Sequence, residues 1–519
     1  MELIHLPDFG VRTENQLNRS ARVATFDEVN SDAFERCCAV YAAAGYVQQE
    51  MYTQNAHSFA AFRMGTRGAF INYFASTREL RVVEEESCAY FDYADRPRKD
   101  SVKPQITQIA LEYFGMSYVI RLSDGRFIVI DGGNNIEADC RKLFDCLKAG
   151  SPVEKPVIAA WIMTHPHSDH FHCFLGFMEI YAQDVVIERF LFNFPECDDE
   201  EHYPSLVNVN SLVRSLKPAH VCIPIMLDWI AKSGAAVYMP HTGQRYAIGD
   251  AQLEILSSMD DTIHVSQNIN AAALVIRMTL GGQTILWSTD AAYSHAKLAQ
   301  RYGTHLKADI LQIPHHGFQS GSAEGELAGY AFIQPRICLL PTDDFIAYTF
   351  FCAYRAGTRS LMLADTVEEF ITGEVERTLP LPYEPPAGAM KAIHEKMRVG
   401  ADNAGARTWF FTGLSTANPD DFVFTLLNTV IPEASVRIDL YFELKANAVR
   451  DIRTKVSGSC FKQINIAGDD VVGDQPPFSA VSLQVRGYPE NQPFAVRFIS
   501  DIPIVVSHPN HAPAYYSSL

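Results

Sequence analysis

Four side chains able to hold a divalent cation fall within six consecutive residues, His165, His167, Asp169 and His170, in the run Thr164-His165-Pro166-His167-Ser168-Asp169-His170. Imidazole nitrogens and carboxylate oxygens are donors that zinc, iron and manganese accept at about 2.0 to 2.2 Å, and a short loop can turn several of them toward one point. The spacing also divides them: His165 and His167 can face one ion while Asp169 and His170 face a second. Buried His and Asp need partners, so a loop of chance histidines is the poorer reading. Further along stand Ser288-Thr289-Asp290 and Pro314-His315-His316-Gly317, and upstream lies Asp131-Gly132-Gly133. The chemistry open to such a set is hydrolysis. A pair of divalent ions lowers the pKa of a shared water from about 15.7 toward about 7, so that metal-activated hydroxide can attack a phosphorus or carbonyl centre. Asp169 would hold the hydroxide or hand its proton to the leaving group.

The elements that must position these groups are strands alternating with helices. Ser117 to Leu122 and Arg126 to Ile130 predict a hairpin about Ser123-Asp124-Gly125, ending in Asp131. A helix is expected next, with Ile136, Cys140, Leu143, Phe144 and Leu147 on one face and Gly150 as its stop. Val157 to Met163 is an almost wholly apolar run that suits a strand covered on both faces, and the histidine run begins where it ends. Phe174 to Tyr181 is helix-compatible. Ala272 to Leu280 and Gln283 to Trp287 flank Gly281-Gly282 and lead to Asp290, and Asp309 to Ile313 is a short strand before Pro314. Ligands on loops at one edge of a rigid sheet form the usual layout of an α/β active site.

HxHxDH at a strand end, preceded by Asp-Gly-Gly after a hairpin and followed by a strand-terminal Asp and a late His, resembles the metallo-β-lactamase superfamily of hydrolases. The likeness covers roughly residues 104 to 382. Within the superfamily the chain is most similar to the branch that includes the hydrolase domain of bacterial DNA-uptake channel proteins, which ends its metal motifs with His-His-Gly, as at His315 and His316, and has Asn before a central strand, as at Asn270. The resemblance implies an αββα sandwich with the site at one edge. It implies that His165 and His167 bind the first of two divalent ions, zinc before manganese or iron, and that Asp169 and His170 bind the second. Asp290 would bridge both. His315 or His316 would complete the second site, and the other would contact substrate or protonate a leaving group; His315 is taken as the ligand and His316 as the catalytic partner, beside Asp169. The plain alternative for the pair is a helix or turn cap. Asp131 would orient the histidine loop by hydrogen bonds, outside the ligand sphere. The third histidine of the family's first site has no counterpart, its place falling near Asn268 to Asn270. His241 and His264 lie in nearby loops and read as surface histidines.

The 519 residues are 47% hydrophobic and 20% charged, an ordinary globular balance, and too many for one core. Four regions are expected: an N-terminal α/β module over 1–103, the catalytic domain over 104–382, a linker and short helix over 383–400, and an all-β sandwich over 401–519. In the first, Phe34, Cys37, Cys38 and Tyr41 recur at helical spacing between Asn30 or Ser31 and Gly45, and Phe59 to Met64 and Ala69 to Phe74 read as strands. A packing or oligomerisation role fits it better than a second active site. In the last, Val436 to Lys445 alternates as a half-buried strand, and Val481 to Arg486, Phe494 to Ile499 and Ile504 to Val506 follow. A net charge of −18 with no long basic cluster disfavours long nucleic acid and leaves a small molecule as the expected substrate, with a homo-oligomer as the expected assembly. The opening residues lack a secretory pattern, and no apolar stretch reaches membrane-spanning length. Eleven irregularly spaced cysteines suit a reducing compartment, so the expected location is the cytoplasm. Asp198 to Glu201 and Asp343-Asp344 read as solvated loops. The function so reached is a metal-dependent hydrolase of a phosphodiester or phosphomonoester. A lactone, thioester or amide is the alternative substrate, and a non-catalytic binding or regulatory protein is the alternative class.

Overall fold

A computed structural model of the chain describes residues 11–18, 20–112, 115–199, 203–207, 217–261, 269–291, 295–317, 332–341, 369–372, 375–381, 406–427, 434–442, 452–456, 461–466, 493–508 and 515–517, with residues 4, 6, 9, 329 and 330 besides. The chain divides into two compact units, residues 1–343 with 366–384 and residues 344–365 with 385–519.

The first unit opens with β1 (Val11–Gln16), β2 (Ala21–Asp27), α1 (Asp32–Ala43), β3 (Val47–Gln54), β4 (His57–Met64), β5 (Arg67–Phe74) and β6 (Glu79–Glu85). They form an antiparallel sheet in the order β1-β2-β6-β5-β4-β3. Side chains alternate across a strand. Ala69, Ile71 and Tyr73 of β5 therefore meet Phe34, Cys37 and Tyr41 of α1, while Phe70 turns to the other face with Phe59 and Val83. That second face packs on Met259 and Ala272, from loops of the following domain, so the central strands β4 and β5 are buried on both faces and read as near-continuous apolar runs.

The core expected as an αββα sandwich follows, with two facing sheets and helices described over the first of them. Its first sheet gathers β7 (Gln105–Gln108), β8 (Ser117–Arg121), β9 (Phe127–Asp131), β10 (Val157–Ile162), β11 (Val186–Ile187), β12 (Arg189–Leu191), β13 (Ala236–Tyr238) and, from far along the chain, β21 (Val375–Thr378). The order is β13-β12-β10-β9-β8-β7-β21, with β11 beside β10. The second sheet runs β14 (Arg245–Ile248), β15 (Ala251–Ser257), β16 (Val275–Leu280), β17 (Gln283–Trp287), β18 (Ile310–Gln312), β19 (Ile337–Leu340) and β20 (Glu369–Thr372), in that order. Ile120, Ile128, Ile130 and Ala160 face Ile255, Ile276, Met278, Trp287 and Ile310 between the sheets. On the outer face of the first sheet, Val119, Val129, Trp161 and Phe190 are covered by α2 (Glu137–Gly150), α3 (Ser168–Tyr181) and α4 (Ala219–Ser233); α5 (His295–Tyr302) follows Asp290. Parallel pairing of β9 with β10 and of β17 with β18 sends their C-terminal ends to the edge where the polar loops lie.

Two expected boundaries shift. The helix expected from Phe174 begins at Ser168, so Asp169 and His170 sit in its first turn, where the positive end of the helix dipole favours a carboxylate. The strand expected from Ala272 begins at Val275, because Ile269–Ala272 forms a 3-10 turn closed by Ala273 N–H donating to Asn270 O at 3.2 Å.

The second unit holds β22 (Ala406–Ser415), β23 (Val423–Leu427), β24 (Ala434–Phe442), β25 (Ile452–Val456), β26 (Phe461–Asn465), β27 (Pro493–Ser507) and β28 (Tyr515–Ser517). The order is β25-β24-β27-β22-β28, with β23 between β27 and β26. Trp409, Phe411, Phe424, Ile438, Leu440 and Phe498 are buried in it. Phe494 to Ile499 and Ile504 to Val506, expected as two strands, are one long strand that changes partners, pairing with β24 through Ser500 and with β23 from Val505. The expected strand Val481 to Arg486, the helix near Met390 to Arg398, the linker after Leu381, His264, Asn268 and Asp343-Asp344 lie outside the described residues. Among the described residues no helix is long and apolar enough to cross a membrane.

His241 corrects its expectation as a surface residue: it is fully buried. Its Nδ1 lies 2.9 Å from Asp260, its Nε2 lies 3.4 Å from Glu85 of β6, and the Phe70 ring covers it. Burial disfavours charge on His241, but Asp260 and Glu85 outweigh it and raise its pKa to about 10. Beside it Arg81 and Arg301 both reach Asp261, and Arg301 also reaches Glu79. The N-terminal sheet is thus joined to the αββα core by buried, paired charges. Replacing His241 with Ala leaves two buried carboxylates without their shared cation and is expected to cost about 3–5 kcal/mol in chemical denaturation. With the folded pKa raised from 6.5 to about 10, the contribution is complete below about pH 6.5 and is lost as pH rises toward 10. The stability gap between wild type and His241→Ala should therefore shrink over that window; a constant gap would mean that the imidazole is neutral in the fold.

Candidate metal centre

The edge of the αββα core is braced from Asp131, the last residue of β9. Its carbonyl accepts from Trp161 Nε1 at 2.8 Å. Its Oδ1 accepts from the Thr164 backbone N–H at 2.8 Å, and its Oδ2 accepts from Thr164 Oγ1 and lies against His170 Nδ1, both at 2.7 Å. Since the Thr164 hydroxyl proton goes to Asp131, that oxygen is left to accept from His165 Nδ1, 3.2 Å away. His165 and His170 are therefore both protonated on Nδ1, which frees each Nε2 lone pair for a cation. Gly133 completes the brace: its N–H donates to His170 O at 3.0 Å, and at its φ of +91° a Cβ would stand 2.5 Å from Leu111.

The opposite wall is built from left-handed backbone. Thr289, His315 and His316 have φ of 48°, 50° and 54°, conformations that cost about 1–3 kcal/mol each for residues with a Cβ. They are held by several hydrogen bonds. Gln312 accepts from Thr289 N–H, Thr289 Oγ1 donates to Leu274 O at 2.8 Å, and His315 N–H donates to Thr289 O at 2.8 Å. Leu274 N–H in turn donates to Thr164 O at 3.1 Å, tying the two walls together.

Two donor groups result. Asp169, His170, Asp290 and His316 offer ligand atoms all within 4.8 Å of one another, and so do His165, His167 and Asp290. In the first group His170 Nε2 lies 3.2 Å from Asp290 Oδ1 and 3.2 Å from His316 Nε2, and His316 Nε2 lies 3.1 Å from Asp169 Oδ2. In the second, His165 Nε2 is 3.1 Å from His167 Nδ1 and 3.6 Å from Asp290 Oδ2. Donors on one tetrahedral zinc ion stand about 3.4 Å apart, so these spacings suit a shared cation. His316 Nδ1 donates to Pro341 O at 3.0 Å, which again leaves Nε2 as the lone-pair nitrogen. The two Nε2 atoms and the two carboxylates face one another, an arrangement that calls for positive charge between them, supplied by protons on the rings or by a cation that displaces those protons.

The titration of the groups carries the same sign. Burial opposes charge on His170 and His316, yet Asp290 and Asp131 raise the first well above its ordinary value, and Asp290 with Asp169 raises the second to about 9. Burial alone would raise Asp290, but His170, His316 and His315 hold it well below the carboxylate range. His165 and His167 are lowered by burial and stay neutral, the form that ligates. His315 stands apart from both groups: its Nε2 lies 3.8 Å from Asp290 Oδ2 and 3.1 Å from Asn270 Nδ2. Of the paired histidines, it is His316 that lies within the Asp169 group.

Thr164 and Gln312 carry weight that sequence reading did not assign. The only sequence signal for Gln312 is a polar side chain in the otherwise apolar run Leu311 to Ile313, where burial obliges it to bond.

No curated protein matches the chain. Among solved structures it is similar to the Anabaena sensory rhodopsin transducer, at 24% identity over 20% of this chain and 95% of that one, with a TM-score of 0.15. It is also similar to the metallo-beta-lactamase fold protein YhfI from Bacillus subtilis, at 14% identity over 53% of this chain and 99% of that one, with a TM-score of 0.31. A third is Zn2+-bound PqqB from Methylobacterium extorquens, at 12% identity over 51% of this chain and 87% of that one, with a TM-score of 0.32. Residues 111–208, which carry Asp131 and the whole run from His165 to His170, match the family model of the metallo-beta-lactamase superfamily.

Proposed function

We propose that the chain is a hydrolase using two divalent ions, zinc by first choice, on a small phosphodiester or phosphomonoester. The observation that carries this reading is Asp290, whose two oxygens are divided between the two donor groups. Asp169, His170, His316 and Asp290 would hold one ion and His165, His167 and Asp290 the other. Bound there, such ions would supply hydroxide near neutral pH and a Lewis-acid clamp suited to the attacking and leaving oxygens of an in-line displacement at phosphorus. The finer likeness to the branch with the DNA-uptake hydrolase domain belongs to this proposal, as do a catalytic domain over 104–382, a C-terminal β-sandwich over 401–519 and a cytoplasmic location.

The chain's own residues do the rest. Asp131 and Thr164 set the tautomers of His165 and His170, so neither imidazole must reorganise to offer its lone pair. Asp169 is fixed by His316 at 3.1 Å and, at 8% exposure against 1% for Asp290, is the more open carboxylate of its group, from which it would pass a proton to the leaving oxygen. His316, at 1% exposure, is too deeply enclosed to reach a substrate and is assigned to the ligand set.

Purified protein should contain close to two divalent ions per chain by elemental mass spectrometry. Asp290→Asn should lose metal and at least about 100-fold in rate on an activated phosphodiester. Protein that holds no ion and cleaves neither phosphoesters nor a lactone, thioester or amide would leave a binding or regulatory role in place of the hydrolase. Asp131→Asn, which touches no proposed ion, should weaken metal affinity about 10- to 100-fold while the thermal transition stays cooperative; unchanged affinity in a chelator competition would remove Asp131 from the site.

A further inference from the structure

The donor groups are unequal, four residues about one point and three about the other. Pro314-His315-His316-Gly317 bears on the smaller one. Two consecutive non-glycine residues in the left-handed region are costly, and local chain geometry gives no reason for both to be histidine. Their effect is to splay the two rings to opposite sides of one carboxylate. His316 Nε2 lies 3.6 Å from Asp290 Oδ1, while His315 Nε2 lies 3.8 Å from Asp290 Oδ2, the oxygen that faces His165. Asn270 Nδ2, a donor, lies 3.1 Å from His315 Nε2, so that nitrogen carries a lone pair, which can go either to Asn270 or, in its place, to an ion. His315 is also the open member of the pair, its side chain 24% exposed against 1% for His316, so it can adjust toward an ion that the buried ring could not follow.

We infer that both histidines are ligands of different ions: His316 serves the Asp169 group, and His315 completes the ligand set of His165, His167 and Asp290. Asn270, in the 3-10 turn before β16, lies on that side of Asp290 and would give up its bond to His315 Nε2 when the ion takes the lone pair. The inference rests on the two-ion reading and adds to it a fourth protein donor for the first ion.

The test is zinc and cobalt binding by full-length wild type and by His315→Ala, His167→Ala and His316→Ala, read by elemental analysis, chelator competition and the visible absorption of the cobalt-loaded protein. His315→Ala should keep one ion at wild-type affinity and weaken the other at least about 10-fold, with a cobalt spectrum altered as in His167→Ala and unlike His316→Ala. His315→Asp, which restores a donor, should recover part of the lost affinity and guards against misfolding of the Ala variant. Two ions bound by His315→Ala with unchanged affinities and spectrum would overturn the assignment while leaving the two-ion reading intact. A wild type that binds no ion would overturn both.

Discussion

A carboxylate taken out of water costs several kcal/mol unless positive charge and hydrogen bonds replace its hydration. Asp290 is 1% exposed, and four imidazoles approach its two oxygens. Much of the surrounding backbone serves that burial. Thr289 takes a left-handed conformation just before it and the His315-His316 pair takes another; the bonds of Gln312 and Leu274 hold Thr289, whose carbonyl in turn accepts from the His315 N–H. A β-branched residue at positive φ is unstable alone. Here it persists because β17, β18 and the loop before β16 fix it from separate directions.

Asp131 solves the complementary problem. Asp290 gathers the ligand nitrogens, whereas Asp131 stands behind them and decides which nitrogen of each ring carries a proton. One carboxylate reaches His170 directly and His165 through the Thr164 hydroxyl, so a single strand end sets two rings that belong to different donor groups. The N-terminal sheet contributes from further out. Phe59, Phe70 and Val83 pack on Ala272, in the same short turn as Asn270, and so steady the loop that leads into β16.

The donors themselves were legible because four of them are adjacent in sequence, and the strands carrying the rest are apolar runs ending in Asp or Pro-His-His. The division of the histidine pair was not legible. It depends on two positive φ values, and histidine does not announce them as glycine would. Nor could β21 be placed beside β7, since a four-residue strand carries too little pattern to name its partner. His241 looked like a loop histidine because the carboxylate that helps bury it, Glu85, comes from another sheet. Charge pairing across a domain surface leaves no periodic trace in either segment.

Preorganisation links these features. An ion entering a site must order side chains, fix tautomers and strip hydration, and each step subtracts from affinity. In this chain the tautomers of His165, His170 and His316 are set by Thr164, Asp131 and Pro341, and the left-handed residues already aim their side chains. The strain is met at folding, by the close packing of two sheets, so little of it remains to be met at binding. Under the two-ion reading, Asp131, Thr164 and Gln312 would thereby convert stability of the core into affinity at its edge, although none of them belongs to either donor group.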